Sequence, residues 1–459
     1  DAITKAGENG TVILKTDVKA DDTLASDGII SLSKAITIKS VDSKDKNIPF
    51  GISATASLTL QDVILSPAKD TTALVFKGGD LDVKGCIIKV NGGDAVDADG
   101  VYTKRGDGFI VNPASSVTIE DNTFVNVTKG GYVRAMFVST VSGDVNIKGN
   151  TANGFHVFAA TQNVSTADNK LTTISGNIAK DMTGDVTGKK DTSTETKDSK
   201  FVQIAGSTES KVVVKDNTVA AKNANVKIPY VTAYDLGATV ASLTVDKDMT
   251  VNGPLTISGT VEVGGLITVK KFDDKQGTIT IKASSTLIVN GGLVGYEGAA
   301  ITNSGTLFNN STITMPTGKD VANNYLGEGK FVAGAGSTAT FNTEVTDKFV
   351  GTGKINNKVP ETDGKQVTEQ SLTDATVADI NNYLKAGMDV TCNGAAVTLA
   401  QGNVIVNSGS ALTGVFKNGD SGSKDQVSVY NLVGEYKIQK GSVAFNGSIK
   451  EGTIYATGG

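Results

Sequence analysis

Residues 116–127 read SVTIEDNTFVNV, and close relatives of that phrase recur as DVNIKGNTANGF at 144–155 and KVVVKDNTVAAK at 211–222. The shared pattern is apolar, any, apolar, any, Asp or Gly, Asn, any, apolar. One copy opens at Val117, with Phe124 and Val127 as further apolar positions. Others open at Val145, Val164 (VSTADNKL) and Val212, with looser copies at Leu58 (LTLQDVIL) and Leu81 (LDVKGCII). A recurring unit of this length is one supersecondary element that cannot bury its apolar side alone, so copies must stack. The period of two makes each copy a short strand. The Asp/Gly-Asn pair supplies a corner, because these residues tolerate left-handed backbone angles. Stacking coils every ~4.8 Å closes the hydrogen bonds, and Asn at successive corners can form a side-chain ladder.

The pattern resembles the coils of the pectate-lyase-like right-handed parallel β-helix over roughly residues 1–235. That resemblance implies an all-β fold, a right-handed parallel β-helix followed by a smaller β-rich C-terminal module. It says less about activity, since the superfamily holds lyases, hydrolases, adhesins and inert stalks. The opening DAITKAGENGTVILKTDV predicts a short helix ending near Gly7 and a strand from Thr11 to Leu14, similar to the caps of surface β-helix proteins. The polar stretch 185–200 reads as a solvated excursion.

After Ala241 the rhythm tightens. SLTVDK, DMTVNG, PLTISG, TVEVGG and LITVKK run in register, with apolar pairs at 243/245, 249/251, 255/257, 261/263 and 267/269. Three hexads make an 18-residue triangular coil; a meander of short strands has the same period, and the solenoid upstream favours the first. ITNSGTLFNNSTI at 301–313 continues the β-patterning. TDATVADINNYLKAG predicts a helix on Val377, Ile380 and Leu384, with a Thr376/Asp379 capping box and Gly387 as its stop. The expected organisation is a capped β-helix over 1–240, tighter coils over 241–357, a linker at 358–366 and a module over 367–459. The module's strands are expected around Val404/Val406, Val427/Val429, Tyr436/Ile438 and Val443/Phe445.

Composition narrows the class. The net charge of −5 and the lack of any basic cluster argue against a nucleic-acid partner. No stretch approaches the roughly eighteen apolar residues of a membrane helix. The chain has one histidine, no tryptophan and only two arginines, Arg105 and Arg134. Such a Lys-rich composition resembles bacterial surface-layer and other exported proteins. It implies a secreted, cell-surface chain whose signal has been cut away or lies outside this numbering. Cys86 and Cys392 fit no metal spacing and read as buried thiols, with a disulfide between them as the alternative.

The lyases of the superfamily use a basic residue against a uronate, whose carboxylate a cation neutralises. By resemblance Lys104, Arg105 and Arg134 are the catalytic candidates here, beside the acidic run GGDAVDADG at 92–100. A surface salt bridge or loop anchor is the competing reading, and the absence of Trp argues against stacking on sugar rings. His156, between apolar neighbours in GFHVFAA, reads as a structural residue. Asp94, Asp97 and Asp99 offer hard oxygen ligands suited to calcium, against a plain solvated turn. Gly108 stands where an EF-hand loop opening at Asp97 needs Glu. Arg105-Gly106-Asp107 spells a tripeptide that some integrins bind. The expectation is a non-catalytic structural or adhesive subunit that requires no cofactor and whose partners are copies of itself or a surface glycan. The alternative is a lyase or glycan-binding β-helix acting on an acidic polysaccharide.

Overall fold

The computed structural model describes the chain except residues 1, 20–27, 42–44, 93–100, 103–105, 129–132, 184–189, 192–198, 223–227, 272–275, 345–347, 363–364, 374–375, 394–396, 400–411, 419–425, 431, 439–441, 447–450 and 457–459. The protein is almost entirely β, built from stacks of parallel strands of the β-helix type. Two compact units divide it, Asp1–Ile279 and Thr280–Gly459.

In the first unit the coils from Gly51 to Met182 carry three short strands each. One coil runs through Phe109–Val111, Ser116–Glu120 and Thr123–Asn126; the next through Arg134–Ser139, Val145–Lys148 and Thr151–Asn153. Pairing is parallel and in step: Leu81 lies opposite Val117, Val117 opposite Val145, Val145 opposite Thr172, and Thr172 opposite Val212. These positions are all buried, and with Ile119, Ile147, Ile174 and Val214 they line the core.

The corner owes its shape to two different residues. The first of the pair takes the left-handed backbone, with φ of 55° at Asp121, 64° at Gly149, 66° at Gly176 and 57° at Asp216. The second turns its side chain inward. Asn122, Asn150, Asn177 and Asn217 are buried, and each of the first three donates its backbone N–H to the next Asn Oδ1 at 2.9–3.0 Å. Their Nδ2 groups donate to the same oxygens and to the carbonyls of Val83, Ile119 and Ile147 on the preceding coil. The ladder begins at the Cys86 N–H, 2.8 Å from Asn122 Oδ1, and ends where Asn217 Nδ2 reaches the Tyr230 hydroxyl at 2.8 Å.

Two details of the repeat differ from expectation. VSTADNKL is not a coil strand; the true copy is TTISGN, opening at Thr172. Thr172 fills an apolar position because its buried hydroxyl bonds Ser165 Oγ at 2.9 Å. Val127 is exposed: Phe124 and Asn126 point inward in Thr123–Asn126, so the alternation turns Val127 out.

The hexads close as 18-residue coils. Val231 lies opposite Met249, and Met249 opposite Ile267. All ten paired apolar residues from Leu243 to Val269 are buried. The N-terminal helix Ala2–Ala6 precedes Gly7 (φ 69°) and the strand Gly10–Leu14, and buries no residue.

In the second unit Thr286–Val289, Thr306–Asn309, Lys330–Ala333 and Phe349–Gly351 stack in parallel. Their inward side is packed with Tyr325, Phe331, Phe341 and Phe349, ring centroids 4.8–5.6 Å apart. The C-terminal strands are parallel too: Leu412–Asn418 pairs with Leu432–Ile438, that strand with Glu451–Ala456, and Gln426–Tyr430 with Ser442–Asn446. This portion is therefore coiled like the rest, not a sandwich. Val404 and Val406 lie outside the described residues.

The helix Val377–Lys385 forms as its sequence dictates. Thr376 Oγ1 accepts from the Asp379 N–H at 3.2 Å, and Asp379 Oδ2 accepts from the Thr376 N–H at 3.0 Å. Gly387, with φ of 80°, stops it. Its apolar stripe, Ile380, Tyr383 and Leu384, packs on the outside of the coils. The seat is Ile288, Phe308, Val332 and Val350, one column in register across four strands.

Candidate functional site

Three long connections leave the same corner of the first unit, at 91–108, 127–133 and 183–199. The connection between Thr151–Asn153 and Val157–Gln162 is only three residues, 154–156. The register carries Asp107, Arg134, Val157 and Lys200 into one column, since Phe109 lies opposite Met136, Arg134 opposite Val157, and Val157 opposite Lys200. Two of the connections meet: Val101–Tyr102 pairs in parallel with Lys190–Asp191. An excursion from one coil thus holds an excursion three coils further on.

Arg134 is anchored rather than presented. Its Nη2 and Nε donate to Asp107 Oδ2 at 2.7 and 3.1 Å, and its backbone N–H donates to Oδ1 at 3.1 Å. Its guanidinium lies over the Phe137 ring, 4.7 Å from the centroid. Arg134 is 7% exposed and Asp107 1%. A buried pair this fully bonded is electrically closed, and removing either member strands a charge. Asp107 also belongs to the Arg-Gly-Asp tripeptide, so the carboxylate that an integrin would need is buried against Arg134. Lys104, Arg105, Asp94, Asp97 and Asp99 lie outside the described residues. Among the described residues no three His, Cys, Asp or Glu side chains gather to hold a metal.

His156 occupies the short connection and is fully buried. Its Nδ1 lies 3.2 Å from Ser199 Oγ and 3.5 Å from Thr183 Oγ1. Burial, helped by the nearby Lys200 charge, drives its pKa down to about 3. An imidazole held neutral to that degree is a poor general base near pH 7. Lys200 is also fully buried, at the start of its long strand. Ser199, Thr183 and Lys200 were not singled out from sequence. Lys200 closes the polar excursion and opens the strand, and that position was its one visible signal.

A lateral groove lies beside this corner. Its described lining is Val125, Asn126, Asn153, Gly154, Asp181, Thr183 and Lys222, around a volume of about 260 Å³. It offers one carboxylate and one ammonium among amides and a hydroxyl. Arg134 does not line it. Both cysteines are free; burial raises the Cys86 thiol to about 12 and Cys392 to about 11, too high for a reactive thiolate. Among the described residues no helix is long and apolar enough to cross a membrane.

Comparison with protein-family models, with characterised proteins and with solved structures finds no match.

Proposed function

We propose that this chain is a secreted structural or adhesive subunit of a bacterial cell surface, a solenoid of the surface-layer type that associates with copies of itself and is not an enzyme. The observation that carries this reading is the asparagine ladder: the polar residue repeated at the coil corners, Asn122, Asn150, Asn177 and Asn217, is consumed in holding coils together, from Cys86 to Tyr230. The arrangement around the described basic candidate adds to it, because Arg134 is spent on Asp107. The reading needs no cofactor. Calcium, if bound, falls to Asp94, Asp97 and Asp99.

The second reading, a glycan-binding or lyase β-helix, draws support from the groove holding Asp181 and Lys222. Particle images of the purified protein, taken with and without calcium, together with a polyuronate depolymerisation assay, separate the two. Sheets or fibres without depolymerisation fit the first reading. Monomers that cleave or retain the polymer overturn it.

A further inference from the structure

Two outward columns, one from each unit, are built differently. In the first unit one outward column runs Thr37, Thr59, Asp82, Thr118, Asn146, Thr173, Val213, polar in six of its seven coils. In the second, the outward column Ile288, Phe308, Val332, Val350 is apolar at every coil, and each residue is at most 6% exposed because a helix covers it. The fit is dimensional. Four strands at ~4.8 Å spacing make a column about 14 Å long, and nine helical residues at ~1.5 Å span about 13 Å. Phe308 meets Tyr383 edge to face at 4.9 Å.

The chain reaches this seat through a joint of its own. Ile355 and Lys358 form a one-residue bridge. Glu361–Thr362 and Lys365–Gln366 then form a hairpin that pairs with no other described strand. Beyond it the strand Glu369–Thr373, the helix and Asp389–Asn393 form one body, since the two strands pair along their full length. Polar bonds fasten that body to the coils, among them Gly351 N–H to Val367 O at 2.8 Å, Ala335 N–H to Ala386 O at 2.9 Å, Lys330 Nζ to Gln370 Oε1 at 2.6 Å, and the Tyr383 hydroxyl to the Thr306 side chain.

We infer that this helix and its seat are an exchangeable coupling: the helix Val377–Lys385 of one chain docks on the Ile288–Phe308–Val332–Val350 column of a second copy. The exchanged contact is identical to the closed one, so the two states differ in connection entropy and joint geometry and not in packing. Domain exchange of this kind is a low-cost route to association. Because seat and helix are distinct surfaces, the contact is head-to-tail and propagates when it does not close. High local concentration, as at a crowded surface, shifts the balance toward exchange. The inference rests on the reading of the chain as a self-assembling subunit.

Two single-cysteine chains test it. One carries Phe308→Cys, the other Tyr383→Cys, each with Cys86→Ala, Cys392→Ser and a different tag. They are mixed at high concentration and oxidised. Neither chain can link its own helix to its own seat. The expected result is a disulfide-linked heterodimer carrying both tags on a non-reducing gel, increasing with protein concentration. Its absence at every concentration overturns the inference. A second measurement shortens 359–366 by four residues, so that the helix cannot reach its own seat. Light scattering should then give at least twice the protomer mass, and a monomer overturns the inference. If particle images of the unmodified protein show arrays while both tests fail, the array reading stands and the exchange falls. A strict monomer in all three experiments removes both.

Discussion

The two units reach stability by opposite routes. In Asp1–Ile279 a polar residue is brought inside: four asparagines are buried at successive corners, and each is paired to its neighbours above and below. In Thr280–Gly459 an apolar column is put outside, and a helix is spent covering it. Asn303, Asn309 and Asn324 are also buried there, but their Nδ2 groups go to other partners: Asn303 to the Tyr325 hydroxyl at 2.8 Å, Asn309 to the Thr338 carbonyl at 3.0 Å and Asn324 to the Pro316 carbonyl at 2.6 Å. The difference teaches where each unit is vulnerable. A ladder fails at any interrupted rung, because neighbouring groups stay buried without partners. A covered face fails by losing its cover, while the coils beneath keep their own core.

The largest expected effect is on the ladder. Asn150→Leu removes the acceptor for the Asn122 N–H and Nδ2, and the Nδ2 donor to Asn177 Oδ1 and Ile119 O. The backbone N–H of residue 150 still donates to Asn177 Oδ1, so four side-chain bonds are lost, at ~1–3 kcal/mol for each buried group left unmatched. We expect destabilisation of about 3–6 kcal/mol, read by denaturant unfolding, with lost amide protection confined to the first unit. Equal loss of protection in both units would dissolve the distinction drawn here.

Next is the cover. Phe308→Ala opens a cavity at the centre of the outer column and removes the contact with Tyr383, at a cost of about 3–4 kcal/mol. Hydrogen exchange should accelerate in 377–390 well before it does in Lys330–Ala333. Uniform acceleration would mean the helix belongs to the coil core and is no separate layer.

These contrasts were unequally visible in the sequence. Strand, corner and hexad were legible because coil stacking forces inward residues into a period of two, and Val117, Ile119 and Phe124 obey it. The capping box around Thr376 was legible because its two partners are three residues apart. The outer column was not: Ile288, Phe308, Val332 and Val350 each stand beside inward residues, in TLIV, TLFN, KFVA and FVG, at uneven intervals. The one available signal was the broken alternation, since consecutive apolar residues mark a strand covered on both faces. The pairing of Arg134 with Asp107 was hidden for a related reason. It depends on register between coils, and the inserted connections make that register unreadable from spacing alone.

A third test concerns pH. His156 would titrate near 6.5 in an unfolded chain and near 3 in the folded one. The unfolded state therefore binds the extra proton as pH falls below about 6.5, and stability declines from there down to about 3. The slope contributed by this one residue approaches ~1.4 kcal/mol per pH unit inside that window. His156→Asn should flatten that part of the acid limb in the first unit, even if its stability at pH 7 is lower. A limb of unchanged slope would place the titrating groups elsewhere.

The smallest expected effect is at the helix start, and it separates the helix's own stability from that of its seat. Thr376→Ala removes the side-chain acceptor for the Asp379 N–H, and with it the hydroxyl bond to Asp379 Oδ2 at 2.6 Å. Caps of this kind contribute about 1 kcal/mol. Because Thr376 is exposed, the loss should appear as faster exchange in 377–380. Phe308→Ala, by contrast, should release the whole helix. If the cap change alone frees the helix to its last turn, the seat contributes little holding energy. The apolar column would then be a surface that the helix merely shields, and not one to which it is tightly bound.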